Sequence, residues 1–148
     1  MEENKILRVR SLLYDCTKEE VQTIISQIED QEVLYVYAYN YNWDNGFEIP
    51  QLILDNDKCD LSIALLIFYR ADGISYLLDK SYNGNLSQWF SFIENLYNLI
   101  VERKYHGDRI EFKAPLSRVQ LFKLKRILTE QETIFIESIE GESLDVTI

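Results

Sequence analysis

A chain of 148 residues with 47% apolar side chains is not disordered, and has enough hydrophobic material for one domain whose core needs no metal or disulfide. Its formal net charge of −10 excludes a basic nucleic-acid footprint over the whole domain, and two cysteines, Cys16 and Cys59, are too few for a disulfide framework. The longest apolar run, Ile63 to Tyr69, is far short of a bilayer span and residues 1–10 hold no apolar leader, so the expectation is a cytoplasmic protein with reduced thiols.

The charge is uneven. Residues 1–60 carry thirteen acids and five bases, residues 101–126 three acids and eight bases, and residues 127–148 six acids and no base. An acidic balance serves solubility, and it also steers a protein toward a basic partner.

Taken in chain order, Ile6, Val9 and Leu13 form one stripe of a first helix over Lys5–Tyr14, although Ile6, Arg8, Arg10 and Leu12 also alternate as a strand would. Thr17 and Glu20 make a capping box ahead of Val21, Ile24, Ile25 and Ile28, which predicts a helix over Lys18–Glu29. Val33, Leu34, Tyr37, Ala38 and Tyr41 trace a third helical stripe, though Tyr and Val are weak helix formers and a strand is the alternative, and the turn chemistry of Asn42-Trp43-Asp44-Asn45-Gly46 ends it. Phe47–Leu54 resumes as a short helix with Pro50 in its first turn. Asp60 then caps a helix, Leu61–Tyr69, that is apolar almost all round and therefore central. Ala71-Asp72-Gly73 closes it, and a loop containing Tyr82-Asn83-Gly84-Asn85 follows.

Leu86, Trp89, Phe90, Ile93, Leu96, Tyr97 and Ile100 give the clearest helical period, with Asn85 and Gln88 as a box-like cap. Arg109–Lys113 alternates as a short strand, and Pro115 opens a helix with Val119, Leu121, Phe122, Leu124 and Leu128 inward. Thr133–Ile139 is β-branched and aromatic, Glu140-Gly141-Glu142 is a turn, and Leu144–Ile148 alternates, which reads as a β-hairpin. The expected fold is α+β and mainly α: one domain over 1–148, about six helices, with residues 1–105 helical and a small C-terminal antiparallel sheet in a strand-helix-hairpin end over 106–148.

Catalytic motifs do not emerge. His106 is the sole histidine and follows a helix end, where a loop or cap role suits it. Asp55-x-Asp57 fails as a calcium loop, because Asp60 stands where the glycine belongs and Leu66 where the last carboxylate belongs. Five scattered glycines form no phosphate loop, and no cofactor is expected. Cys16 and Cys59 adjoin aspartates that oppose a thiolate, so both read as small hydrophobes. Arg118, Lys123, Lys125 and Arg126 read as a solvated helix face, with Phe122 assigned to the core.

The stretch Tyr39-Asn40-Tyr41-Asn42-Trp43-Asp44-Asn45-Gly46, with Asp60–Tyr69 and Ala71-Asp72-Gly73, resembles a bacterial domain of unknown function, number 4274. The likeness covers about half the chain and implies a small helical bacterial protein with no assigned activity. Members resemble the small acidic proteins found beside polymorphic toxins, an analogy at the level of family and not of site. The pattern also has a purely structural account, in which Trp43 folds back onto the Ala64–Tyr69 helix while Asn42 and Asp44 bond turn backbone. Any binding site is expected at Asn42, Trp43, Asp44 and Asp72.

The functional expectation is a binding protein, not an enzyme. Its most concrete form is an immunity-type antitoxin that occludes a toxin through an acidic surface, with a protein as partner and neither nucleic acid nor membrane. The alternatives are a small enzyme with a site near Asn42-Trp43-Asp44, and a scaffold or accessory subunit.

Overall fold

The computed structural model describes residues 1–81 and 84–148. Among them lie eight α-helices: α1 (Glu3–Tyr14), α2 (Lys18–Ile25), α3 (Gln31–Asn40), α4 (Glu48–Asp55), α5 (Leu61–Arg70), α6 (Gly73–Leu78), α7 (Ser87–Val101) and α8 (Arg118–Ile127). Short 3-10 turns cover Trp43–Asn45 and Glu130–Phe135.

The expected starts and stops of the first five helices hold where side chains satisfy the free backbone groups. Thr17 and Glu20 form the predicted capping box, with Glu20 N donating to Thr17 Oγ1 at 3.2 Å and Thr17 N to Glu20 Oε1 at 3.0 Å. The helix it opens ends at Ile25, short of the expected Glu29. Asn56 explains the early stop: its Nδ2 donates to the carbonyls of Ile25 and Ile28, at 3.0 and 2.9 Å, and so satisfies acceptors that a helix end leaves free. Asp30 caps α3 and Asp60 caps α5.

Helix α5 is the axis. Ser62 to Phe68 are all buried, and α3, α4, α6 and α7 pack around it. Its one internal hydroxyl, Ser62 Oγ, donates to the Ile110 carbonyl at 2.6 Å. At its far end Asp72 takes a left-handed conformation, φ 62°, and the chain resumes at once as α6 rather than entering a loop. Gly73 is required at that junction because an added Cβ would lie 2.3 Å from the Phe68 ring. Of the loop expected beyond, Tyr82-Asn83 lies outside the described residues. The cap expected from Asn85 and Gln88 is absent: α7 starts after Leu86 with no side-chain cap, and Leu86 is exposed.

The C-terminal sheet is a misreading of the sequence. Ile110 and Phe112 are buried as the alternation predicts, but this segment meets the tail through two isolated bridges. Ile110 pairs with Glu142 in the parallel sense and Phe112 with Ile139 in the antiparallel sense. Two isolated bridges of opposite sense share no common register, so no ladder propagates between them.

The β-branched run Thr133–Ile139 forms no strand. A capping box between Thr129 and Glu132 starts a 3-10 turn instead, and burial of Ile134 and Phe135 holds it. Glu132 is the anchor, with Lys80 Nζ at 2.8 Å, the Tyr97 hydroxyl at 2.6 Å and the Thr129 amide at 3.0 Å. These contacts outweigh the weak local β-propensity.

Helix α8 differs too. It begins at Arg118 behind a Ser117–Gln120 capping box, and of the five residues expected inward only Leu124 is buried. Val119 and Phe122 are 63% and 61% exposed, because α8 rests by one edge on α6.

Burial of Glu132 would raise its carboxyl, but Lys80, the Thr129 amide and Tyr97 outweigh that and hold it near 2 against an ordinary 4.5. A carboxyl depressed by folding stabilises fully above its unfolded pKa, and that contribution is lost as pH falls through 4.5 toward 2. It amounts to about 3 kcal/mol. Urea unfolding across this window should show wild type losing stability more steeply than Glu132→Gln. Parallel curves would contradict the anchor role.

Candidate functional site: a groove between α4 and α7

Helices α4 and α7 both lean on α5 without packing closely on each other. The gap is an open groove of about 650 Å3, lined by Gly46, Phe47, Glu48 and Gln51 on one side and Ser87, Gln88, Ser91, Phe92 and Asn95 on the other. A second groove of about 670 Å3 lies along the other side of α4, toward α2, and shares Glu48 and Gln51 with the first. The sides of α4 therefore face two clefts.

The floor is aromatic. Phe47 and Phe92 meet across the gap with ring centroids 4.9 Å apart. Trp43 stands edge-on to Tyr41 at 5.3 Å, to Phe47 at 6.1 Å and to Phe92 at 6.2 Å. The rings that Trp43 meets thus lead to α7, where the sequence reading turned it toward Ala64–Tyr69. Its indole Nε1 is buried and has no hydrogen-bond partner.

The turn that carries Trp43 is built as its residue types require. Asn42 Oδ1 accepts from the Asp44 amide at 3.0 Å, an Asx turn, and the Tyr41 hydroxyl donates to the Gly46 carbonyl at 2.8 Å. Gly46 has φ 92°, a conformation that favours glycine. Burial, with the nearby Glu48 carboxylate, pushes the Tyr41 phenol up to about 12, so it remains a donor.

The rim is acidic: Glu48 lines both grooves and Glu19 lines the second. Glu20 on α2, Asp55 on α4 and Asp44 on the intervening turn are further exposed acids of these segments, and Lys18 is a base among them. Lys18 lies 3.4 Å from Glu48, whose carboxyl is held below its usual range by backbone hydrogen bonds and by that ammonium.

Of the four residues expected at a site, Asn42, Trp43 and Asp44 sit together beside the groove. Trp43 packs edge-on against both floor rings without lining the groove, Asn42 serves the turn, and Asp44 is exposed on that turn. Asp72 is elsewhere. It accepts a hydrogen bond from Ser75 Oγ at 2.8 Å, and no hydrogen bond or ring contact joins it to the other three.

Sequence reasoning missed the α7 wall. One signal was available: Ser87, Gln88, Ser91 and Asn95 form a stripe of neutral hydroxyls and amides, where a solvated helix face usually carries Lys and Glu.

Among the described residues no cluster of three or more His, Cys, Asp or Glu side chains is placed to hold a metal ion. His106 is exposed, and its carbonyl accepts from the Leu61 amide. Cys16 and Cys59 are unpaired, and burial drives the Cys59 thiol up, away from thiolate. No described helix is long and apolar enough to cross a membrane.

The fold and groove define a helical protein with an open, acid-rimmed, aromatic-floored cleft. The chain belongs to the family described as domain of unknown function DUF4274, which matches residues 17–101. That match takes in α2 to α7 and hence both walls of the groove. No curated protein and no solved structure matches the chain.

Trp43→Ala should lower stability by about 2–4 kcal/mol, toward the lower end for aromatic truncation because the ring is only half-buried. Thermal and urea unfolding would measure it, and an unchanged midpoint would show that the ring supports no packing.

Proposed function

We propose that this chain is a protein-binding module of the immunity type, which captures a basic, partly apolar segment of a partner in the paired grooves flanking α4. The observation that carries the reading is the combination of an apolar aromatic floor, Phe47 and Phe92, with a rim of exposed carboxylates from α2 and α4. Apolar floor and charged rim divide the labour of an interface: the rings hold the partner, and the carboxylates guide its approach. Neutral amides and hydroxyls along α7 offer hydrogen bonds to a peptide backbone without adding charge. Trp43 supports the floor from beneath, and Asp44 belongs to the rim.

The partner in this reading is a basic protein such as a toxin encoded beside this chain. Occlusion needs no chemistry from the binder. Association should therefore depend on surface charge, and replacing Cys16, Cys59 and His106 should not affect it.

The test is binding to the product of the neighbouring gene, followed by surface plasmon resonance at low and physiological salt. The double variant Glu19→Lys, Glu48→Lys should slow association by at least about tenfold at low salt, with little change in dissociation. Phe92→Ala should mainly speed dissociation. A partner that binds both variants with wild-type kinetics places the interface elsewhere. Turnover of a substrate by the purified protein, lost in a variant that still folds, would replace binding with catalysis.

A further inference from the structure

A third cleft lies away from both grooves, between α3, the end of α5 and the segment that follows residue 111. Its volume is about 370 Å3, within the range of small-ligand sites. Tyr35, Tyr39, Tyr69 and Phe112 line it together with Leu66, so its wall is largely aromatic. Tyr69 and Phe112 are stacked at 6.1 Å and 25°, and the Tyr69 hydroxyl is tied to the Phe135 carbonyl at 2.6 Å, so this wall is fixed. A lining with four aromatic side chains suits an apolar, flat ligand ring.

The mouth is cationic, in a chain whose net charge is −10. The Arg70 guanidinium sits 4.0 Å above the Tyr39 ring, and no described carboxylate lies within ion-pair distance of it. Stacking occupies the face of a guanidinium and leaves its in-plane N–H groups available as a fork, the geometry that binds carboxylate or phosphate through two parallel hydrogen bonds. Lys113 stands at the same mouth, with only an exposed contact to Glu111 at 3.5 Å, which is worth little.

We propose that this cleft binds a small planar aromatic anion, its ring against the aromatic lining and its carboxylate or phosphate on Arg70 and Lys113. The site draws on α3 and α5 and on residues beyond 101, and it shares no lining residue with the α4 groove. Partner capture can therefore fail without affecting it.

The probes are 4-hydroxybenzoate and phenyl phosphate, with benzyl alcohol as the neutral ring, measured by calorimetry and by amide NMR shifts on the full chain. At least one anion should bind, with shifts centred on Tyr35, Tyr39 and Phe112, and benzyl alcohol should bind at least about tenfold more weakly. Whichever of the two anions binds identifies the charged group. Arg70→Gln should weaken that anion by at least about tenfold while melting is unchanged, since Arg70 is exposed. Should Arg70→Gln fail to fold, Lys113→Gln, on an exposed side chain outside every helix, should also weaken binding. Failure of both anions to bind, equal binding of benzyl alcohol, shifts centred elsewhere, or folded variants with wild-type affinity would each overturn the site.

Discussion

Helix α5 has no solvent face between Ser62 and Phe68, and the rest of the structure is arranged around that fact. A helix apolar on every side needs neighbours on every side, and here α3, α4, α6 and α7 supply them. Its polar groups are accounted for one at a time: Asp60 caps its start, Ser62 reaches the Ile110 carbonyl, and Asp72 turns the chain so that α6 can pack back on it. One oxygen is left over. Asp60 Oδ2 is buried without a hydrogen-bond partner, and burial raises that carboxyl. Gly107 packs against the same side chain so closely that an added Cβ would lie 2.9 Å from it.

Both clefts follow from the same axis. Where α4 and α7 lean on α5 from different directions, the space between their outer faces becomes the aromatic-floored groove. Where α5 runs out at Tyr69 and Arg70 beside α3, the space is closed by the segment carrying Phe112. The tail contributes as well, since Asn40 Nδ2 donates to the Val146 carbonyl at 2.8 Å and draws it onto α3.

The charge is organised too. Carboxylates gather on the α2–α4 side, whereas α8 exposes Val119 and Phe122 among Arg118, Lys123, Lys125 and Arg126. Arg126 lies over the Phe122 ring at 5.5 Å, so this aromatic is covered by its own cation rather than by the core.

The sequence by itself determined α2, α4 and α5 and the centrality of α5, because those signals are local, whereas for α1 and α3 the spacing left a strand open and packing decided for helix. A capping box, an Asn-Gly turn and an uninterrupted apolar run each act within a few residues. It also marked Trp43 and its Asx turn, and the resemblance to the DUF4274 family rests on those same residues. Tertiary structure decided what local pattern could not. The run Thr133–Ile139 alternates well enough for a strand, yet Glu132 met Lys80 and Tyr97, which lie 52 and 35 residues earlier in the chain, and that ion pair set a 3-10 turn instead. Phe122 has the spacing of a core residue, but α6 covers only one edge of α8. Helix α6 was read as loop because its six residues carry little periodicity, and it exists because Tyr76 and Leu77 are buried in the packing of α6 against α5 and α7. The groove joins Phe47 to Phe92 across 45 residues. Periodicity reports which face of a helix turns inward; which helix it will meet depends on contacts between segments far apart in the chain.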